Sequence, residues 1–188
     1  MAWSATQRER LALEKGILEQ YFPNNRVSWN DPLRVNSWVE ITMTSNSNKA
    51  YKIRVYLASD LPNSCPEMVM VSPKNLKQRT GEALPDTSSE FHTLGMRDGY
   101  FKLCHYRPAL WTADITLYQV FMKGRLWIAA YEGHLATGKN MDVYLKHMDS
   151  SDQSSNHESS GDQISNHGSR TSDTTSSETG RKRKCVIQ

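Results

Sequence analysis

The sequence predicts an α+β domain with an N-terminal helix, an antiparallel β-meander, a long flap loop and a long late helix, followed by a disordered tail. Three observations carry this expectation. Apolar residues recur at helical spacing near the start and again from Leu117, they alternate at period two between Trp38 and Leu57, and all seventeen aromatic residues lie before residue 149. With 188 residues, 37% of them hydrophobic, the chain supports one core of ordinary size and not two.

The first helix is expected from about Ser4 to Tyr21, where Leu13, Ile17 and Tyr21 recur every four residues and Leu11 and Leu18 widen the stripe; Pro23 ends it. Val39, Ile41 and Met43 then share one face of a strand over Trp38 to Thr44, and after the Ser45-Asn46-Ser47-Asn48 turn Tyr51, Ile53, Val55 and Leu57 alternate again. Cys65 to Val71, closed by Pro73, completes a three-stranded meander. Residues 74–98 show no period, and a loop of that length in a compact domain is usually functional. From Trp111 the period changes: Leu117, Phe121, Gly124, Ile128, Tyr131 and Leu135 fall on one helical face, with Thr112 or Asp114 to cap the start and Gly138 to stop it. Met141 to His147 reads as a last helical turn.

Residues 149–180 hold fifteen Ser or Thr and one large aliphatic residue, Ile164, so they cannot bury enough surface to fold. The expected organisation is therefore a domain over 1–148, a Ser/Thr-rich linker over 149–180 and a polybasic tail over 181–188. Formal charge follows these bounds, at +4 for residues 1–148, −5 for 149–180 and +4 for Arg181 to Lys184. As a flexible coil the linker spans roughly 30 Å, the reach of a tether. Its near-repeat around His157 and His167 reads as linker duplication and not as a metal site.

No apolar stretch approaches the roughly 20 residues of a membrane span, and Met1-Ala2-Trp3-Ser4 followed by charges has no signal-peptide core, so cytosolic synthesis is expected. Three cysteines in a reducing compartment make neither a disulfide framework nor a four-ligand zinc site. No metal or cofactor is expected. Lys74, Lys77 and Arg79 lack interleaved aromatic residues and read as a solvated face, with no nucleic-acid partner.

Cys185-Val186-Ile187-Gln188 fits the C-a-a-X prenylation signal, with Gln at the last position favouring farnesyl. One lipid chain binds a bilayer only marginally. The preceding Arg181, Lys182, Arg183 and Lys184 add electrostatic hold at an anionic leaflet, up to roughly 1 kcal/mol each. A prenyltransferase, an anionic membrane surface and a location at the cytoplasmic face of a membrane are the implied partners and place. Small GTPases share such tails, but no G-x-x-x-x-G-K-[ST] phosphate loop is present.

The landmarks His92-Thr93-Leu94, Asp98-Gly99, Cys104, and Trp111 followed by Thr112-Ala113-Asp114-Ile115-Thr116-Leu117 occur in the order found in ubiquitin-conjugating enzymes. Leu103-Cys104-His105-Tyr106, Pro108, Trp127, Tyr131-Glu132 and Thr137-Gly138 look still more like the divergent, bacterial-type members. Over about residues 4–148 the chain resembles that family. The resemblance implies that Cys104 carries ubiquitin or a ubiquitin-like modifier as a thioester. It also implies an activating enzyme and a ligase as partners, with His92, His105 and Arg107 able to supply a base or an oxyanion donor. The family's oxyanion-stabilising Asn falls at Leu94, which has no side-chain donor, and His92 precedes Cys104 by twelve positions where ten is usual. A module that binds partners without catalysis is therefore the competing expectation, and an unrelated membrane-targeted adaptor is a third. On composition alone, Cys104 would be a small core hydrophobe. Cys65 reads as structural, and Glu132 and His134 as solvated helix residues.

Overall fold

The computed structural model describes residues 2–23, 26–32, 34 and 37–145. Cys185, the Arg181 to Lys184 run and the linker lie outside the described residues. Helix α1 (Ala5–Tyr21) begins in a reciprocal cap: the Gln7 N–H donates to Ser4 Oγ at 3.2 Å, and the Ser4 N–H to Gln7 Oε1 at 3.0 Å. The Leu13, Ile17, Tyr21 stripe is not the buried one. Leu11, Glu14 and Leu18 face the core, while Leu13 is 66% exposed. The deciding residue is Glu14, whose carboxylate accepts from the Leu117 N–H at 2.8 Å and from Arg10 Nε at 2.8 Å. A polar residue thus occupies the centre of the packed seam.

The sheet is larger than the expected meander. Strands β1 (Val27–Asn30), β2 (Trp38–Thr44), β3 (Ala50–Tyr56), β4 (Glu67–Ser72), β5 (Thr87–Ser88), β6 (Thr93–Arg97) and β7 (Tyr100–Leu103) form one antiparallel sheet in the order β1-β2-β3-β4-β7-β6-β5. The β2–β3 register, Val39 opposite Val55 and Ile41 opposite Ile53, keeps both apolar sets on one buried face. The other face carries Glu40 and Arg54, paired at 2.7 Å, with the Arg54 guanidinium 4.1 Å from the centre of the Trp38 ring. The segment expected as an aperiodic flap supplies β5 and β6. Asp98 and Gly99, at φ of 52° and 75°, make the turn into β7, and the Asp98 carboxylate accepts from the Tyr56 hydroxyl at 2.6 Å.

Helix α2 (Leu117–Thr137) starts later than the sequence suggests. Thr116, not Thr112 or Asp114, is its cap, and the preceding Pro108–Leu110 segment is a 3-10 turn. Gly138, at φ of 76°, closes it as expected, its N–H donating to the His134 carbonyl at 2.7 Å. Leu117, Phe121, Gly124, Ile128 and Tyr131 are buried against the sheet. Gly124 lets the helix approach the sheet closely: a Cβ would stand 2.6 Å from Ile53 Cδ1, so that side chain would have to shift. Trp127 is fully buried and ties the helix to the β5–β6 connection, its Nε1–H donating to the Phe91 carbonyl at 3.0 Å. A 3-10 turn over Met141–Val143 follows. Among the described residues no helix is long and apolar enough to cross a membrane.

Candidate functional site

Strand β7 ends at Leu103, and Cys104 leaves the sheet tied to the residue before β6: its N–H donates to the His92 carbonyl at 2.9 Å. The Cys104 side chain is closed off, at 0% exposure. His92 is also fully buried and holds φ at 52°, a conformation uncommon outside glycine. Its Nε2–H donates to Asp142 Oδ1 at 2.8 Å. The fold therefore brings Cys104, His92 and Asp142 into one neighbourhood, in which Asp142 fixes the imidazole. Nothing in the local sequence marks Asp142, since its role arises from an approach of the α2 exit to a residue 50 positions earlier.

The residues after Cys104 are pinned from the other side. Trp111 Nε1–H donates to the Pro62 carbonyl at 2.8 Å, and the Trp111 ring meets Tyr106 edge-on at 5.7 Å. Trp111 thus holds the segment that follows Cys104 against the β3–β4 connection. His105 is 4% exposed, and burial lowers its pKa to about 4 against a partial lift from the Pro66 carbonyl. The ring is neutral at pH 7. Because a carbonyl only accepts, the 2.9 Å bond to Pro66 places the proton on Nε2. Nδ1 is then a buried acceptor without a partner among the described residues.

A cleft of about 240 Å³ lies alongside, lined by Cys65, Pro66, Leu94, Leu103, His105 and Tyr106 among others. Leu94 is 45% exposed there and offers no side-chain donor for an oxyanion. The Cys65 thiol is pushed up to about 11 by burial, so it is protonated and poorly nucleophilic at neutral pH.

Glu132 and His134, read from sequence as solvated, are both anchors. Burial alone would raise the Glu132 pKa, but hydroxyl donors on Ser45, Ser47 and Tyr51, at 2.8, 2.9 and 3.0 Å, hold it below the usual carboxylate range. This ties the β2–β3 turn to α2. His134 is buried, donates from Nδ1 to the Lys139 carbonyl at 2.9 Å and accepts at Nε2 from the Arg79 N–H at 3.2 Å. Among the described residues no group of three His, Cys, Asp or Glu side chains could hold a metal ion. No protein-family model and no curated protein matches the chain.

Proposed function

We propose that the folded part is a ubiquitin-conjugating-enzyme-like module that acts by binding partners, held at the cytoplasmic face of a membrane by a prenylated Cys185 and the Arg181 to Lys184 run. The observation that carries the non-catalytic reading is the closure of Cys104, at 0% exposure. A thioester forms only when sulfur reaches the carbonyl carbon of a modifier's C-terminus and a donor meets the developing oxyanion. Cys104 offers no accessible surface, and Leu94 offers no donor. Thioester transfer of ubiquitin or a ubiquitin-like protein is the second reading. It is favoured by the His92 and Asp142 pair, which adjoins Cys104 through the bond from its N–H to the His92 carbonyl.

The full chain, incubated with a charged activating enzyme, ATP and ubiquitin or ubiquitin-like modifiers in turn, is expected to form no reductant-sensitive adduct. An adduct lost in Cys104→Ala and retained in Cys65→Ala would establish the carrier reading instead. The anchor is tested apart from the chemistry. In eukaryotic cells the wild-type C-terminal peptide should gain the mass of a prenyl group and the protein should sediment with membranes, whereas Cys185→Ser should do neither. Equal mass and equal soluble fractions for the two proteins would remove the anchor.

A further inference from the structure

We propose that Arg26 and Arg125 form a phosphoryl-binding notch on the folded domain, separate from the Cys104 neighbourhood and from the tail. Arg26 follows α1 and leads into β1, and Arg125 lies on the outer side of α2. Both are exposed, and both line one cleft of about 150 Å³ with Tyr21, Phe22, Met43 and Thr44. No carboxylate lines that cleft.

The arginines of this domain are otherwise spoken for. Arg10, Arg34, Arg54 and Arg97 pair with carboxylates, Arg8 and Arg79 donate to backbone carbonyls, and Arg107 is also engaged. Arg26 and Arg125 alone among the described arginines have no side-chain hydrogen bond or ion pair, and the fold places both in the same cleft. The Thr44 hydroxyl beside them is likewise without a partner among the described residues and can donate.

A guanidinium is a planar array of fixed donors with no acceptor, and two of them at one small cleft match a tetrahedral dianion better than a planar monoanion. Two charges oppose this, and both are weaker. The C-terminal end of α1 contributes about half a negative charge. Glu132 lines only the adjoining cleft of about 160 Å³, which shares Met43, Thr44 and Arg125, and its oxygens are already held by three hydroxyls. The preferred position for a phosphoryl group is therefore at the Arg26 end of the cleft, the part that does not adjoin Glu132. The group can come from a free phosphate ester or from a phosphorylated lipid headgroup. The second source would give the folded domain its own membrane contact, independent of prenylation.

The test uses the full, unprenylated chain. Inorganic phosphate and inositol trisphosphate should each shift the amide resonances of Arg26, Thr44 and Arg125, with inositol trisphosphate binding tighter than citrate. Arg26→Gln and Arg125→Gln should each weaken inositol trisphosphate binding roughly tenfold, the scale of one lost charge-assisted hydrogen bond, without moving the thermal midpoint. Phosphatidylcholine vesicles carrying phosphatidylinositol bisphosphate are then compared with vesicles of equal surface charge made with phosphatidylserine, so that the basic tail contributes equally to both. A preference for the phosphoinositide that the double variant loses identifies a lipid headgroup. Binding of the soluble phosphates without that preference identifies a free phosphate ester. Citrate binding as tightly as inositol trisphosphate, or shifts unchanged in the double variant, or no shifts at all, would overturn the notch.

Discussion

Glu14→Ala is expected to destabilise the domain by about 3 to 5 kcal/mol, the range for removing one partner of a buried, hydrogen-bonded charge pair. Glu14 is 1% exposed, and each of its carboxylate oxygens has a separate task. One receives Arg10 Nε, and the other receives the N–H of Leu117, the first residue of α2. That N–H is among those a helix leaves without an internal partner. Alanine would remove the carboxylate partner of Arg10 and leave the Leu117 donor buried and unmet. Arg10 also donates to the Ala113 and Ile115 carbonyls, so the segment between Trp111 and α2 would loosen with it. Replacing both partners, as in Arg10→Met with Glu14→Leu, is expected to recover part of the loss, because no uncompensated charge remains. Urea unfolding followed by circular dichroism measures each value. A cost below about 1 kcal/mol for Glu14→Ala would show that the carboxylate is not the link between the two helices.

The same residue shows what the sequence could and could not disclose. Leu13, Ile17 and Tyr21 make a credible helical stripe, yet the partner surface chooses the neighbouring seam of Leu11, Glu14 and Leu18, because only there does a carboxylate meet the start of α2. Amphipathic spacing identifies a helix more surely than it identifies the face that packs. Strands β2 and β3 were legible because one face is dry and the other carries charge, so Val39, Ile41 and Met43 alternate cleanly with Glu40 and Thr42. Strand β6 was not, because Gly95 and a register shift between Thr93 and Met96 break the period of two. The Asp98-Gly99 pair, which the sequence offered only as a landmark ahead of Cys104, is the turn from β6 into β7. At the candidate site, the position of Cys104 after Asp98-Gly99 and before Trp111 could be read along the chain. Its closure could not, since burial depends on elements distant in sequence. Asp142 and the shared cleft of Arg26 and Arg125 are likewise products of tertiary approach, with no local pattern to announce them.

His105 should make stability fall steeply in mild acid, and the sign follows from its surroundings. Burial disfavours the charged ring most. The Pro66 carbonyl and the Glu67 carboxylate pull the other way, Lys123 adds to the depression, and the result is a folded pKa near 4 against 6.5 for an exposed imidazole. Between those values the unfolded chain holds a proton on this ring that the folded chain does not. Stability therefore rises with pH across that window and is lost as pH falls through it. The contribution is complete above about pH 6.5, and its loss amounts to roughly 3 kcal/mol by pH 4. Carboxylates titrate toward the lower end of the same window, so the comparison is with His105→Gln, which keeps a donor for the Pro66 carbonyl but cannot take up a proton. Between pH 6 and pH 5 the wild-type unfolding free energy should fall more steeply than that of the variant by up to about 1.4 kcal/mol per pH unit, the slope of one proton. Parallel slopes would mean that the imidazole gains a proton without disturbing the fold. The cleft beside Cys65 and Tyr106 would then have to open to water around Nδ1.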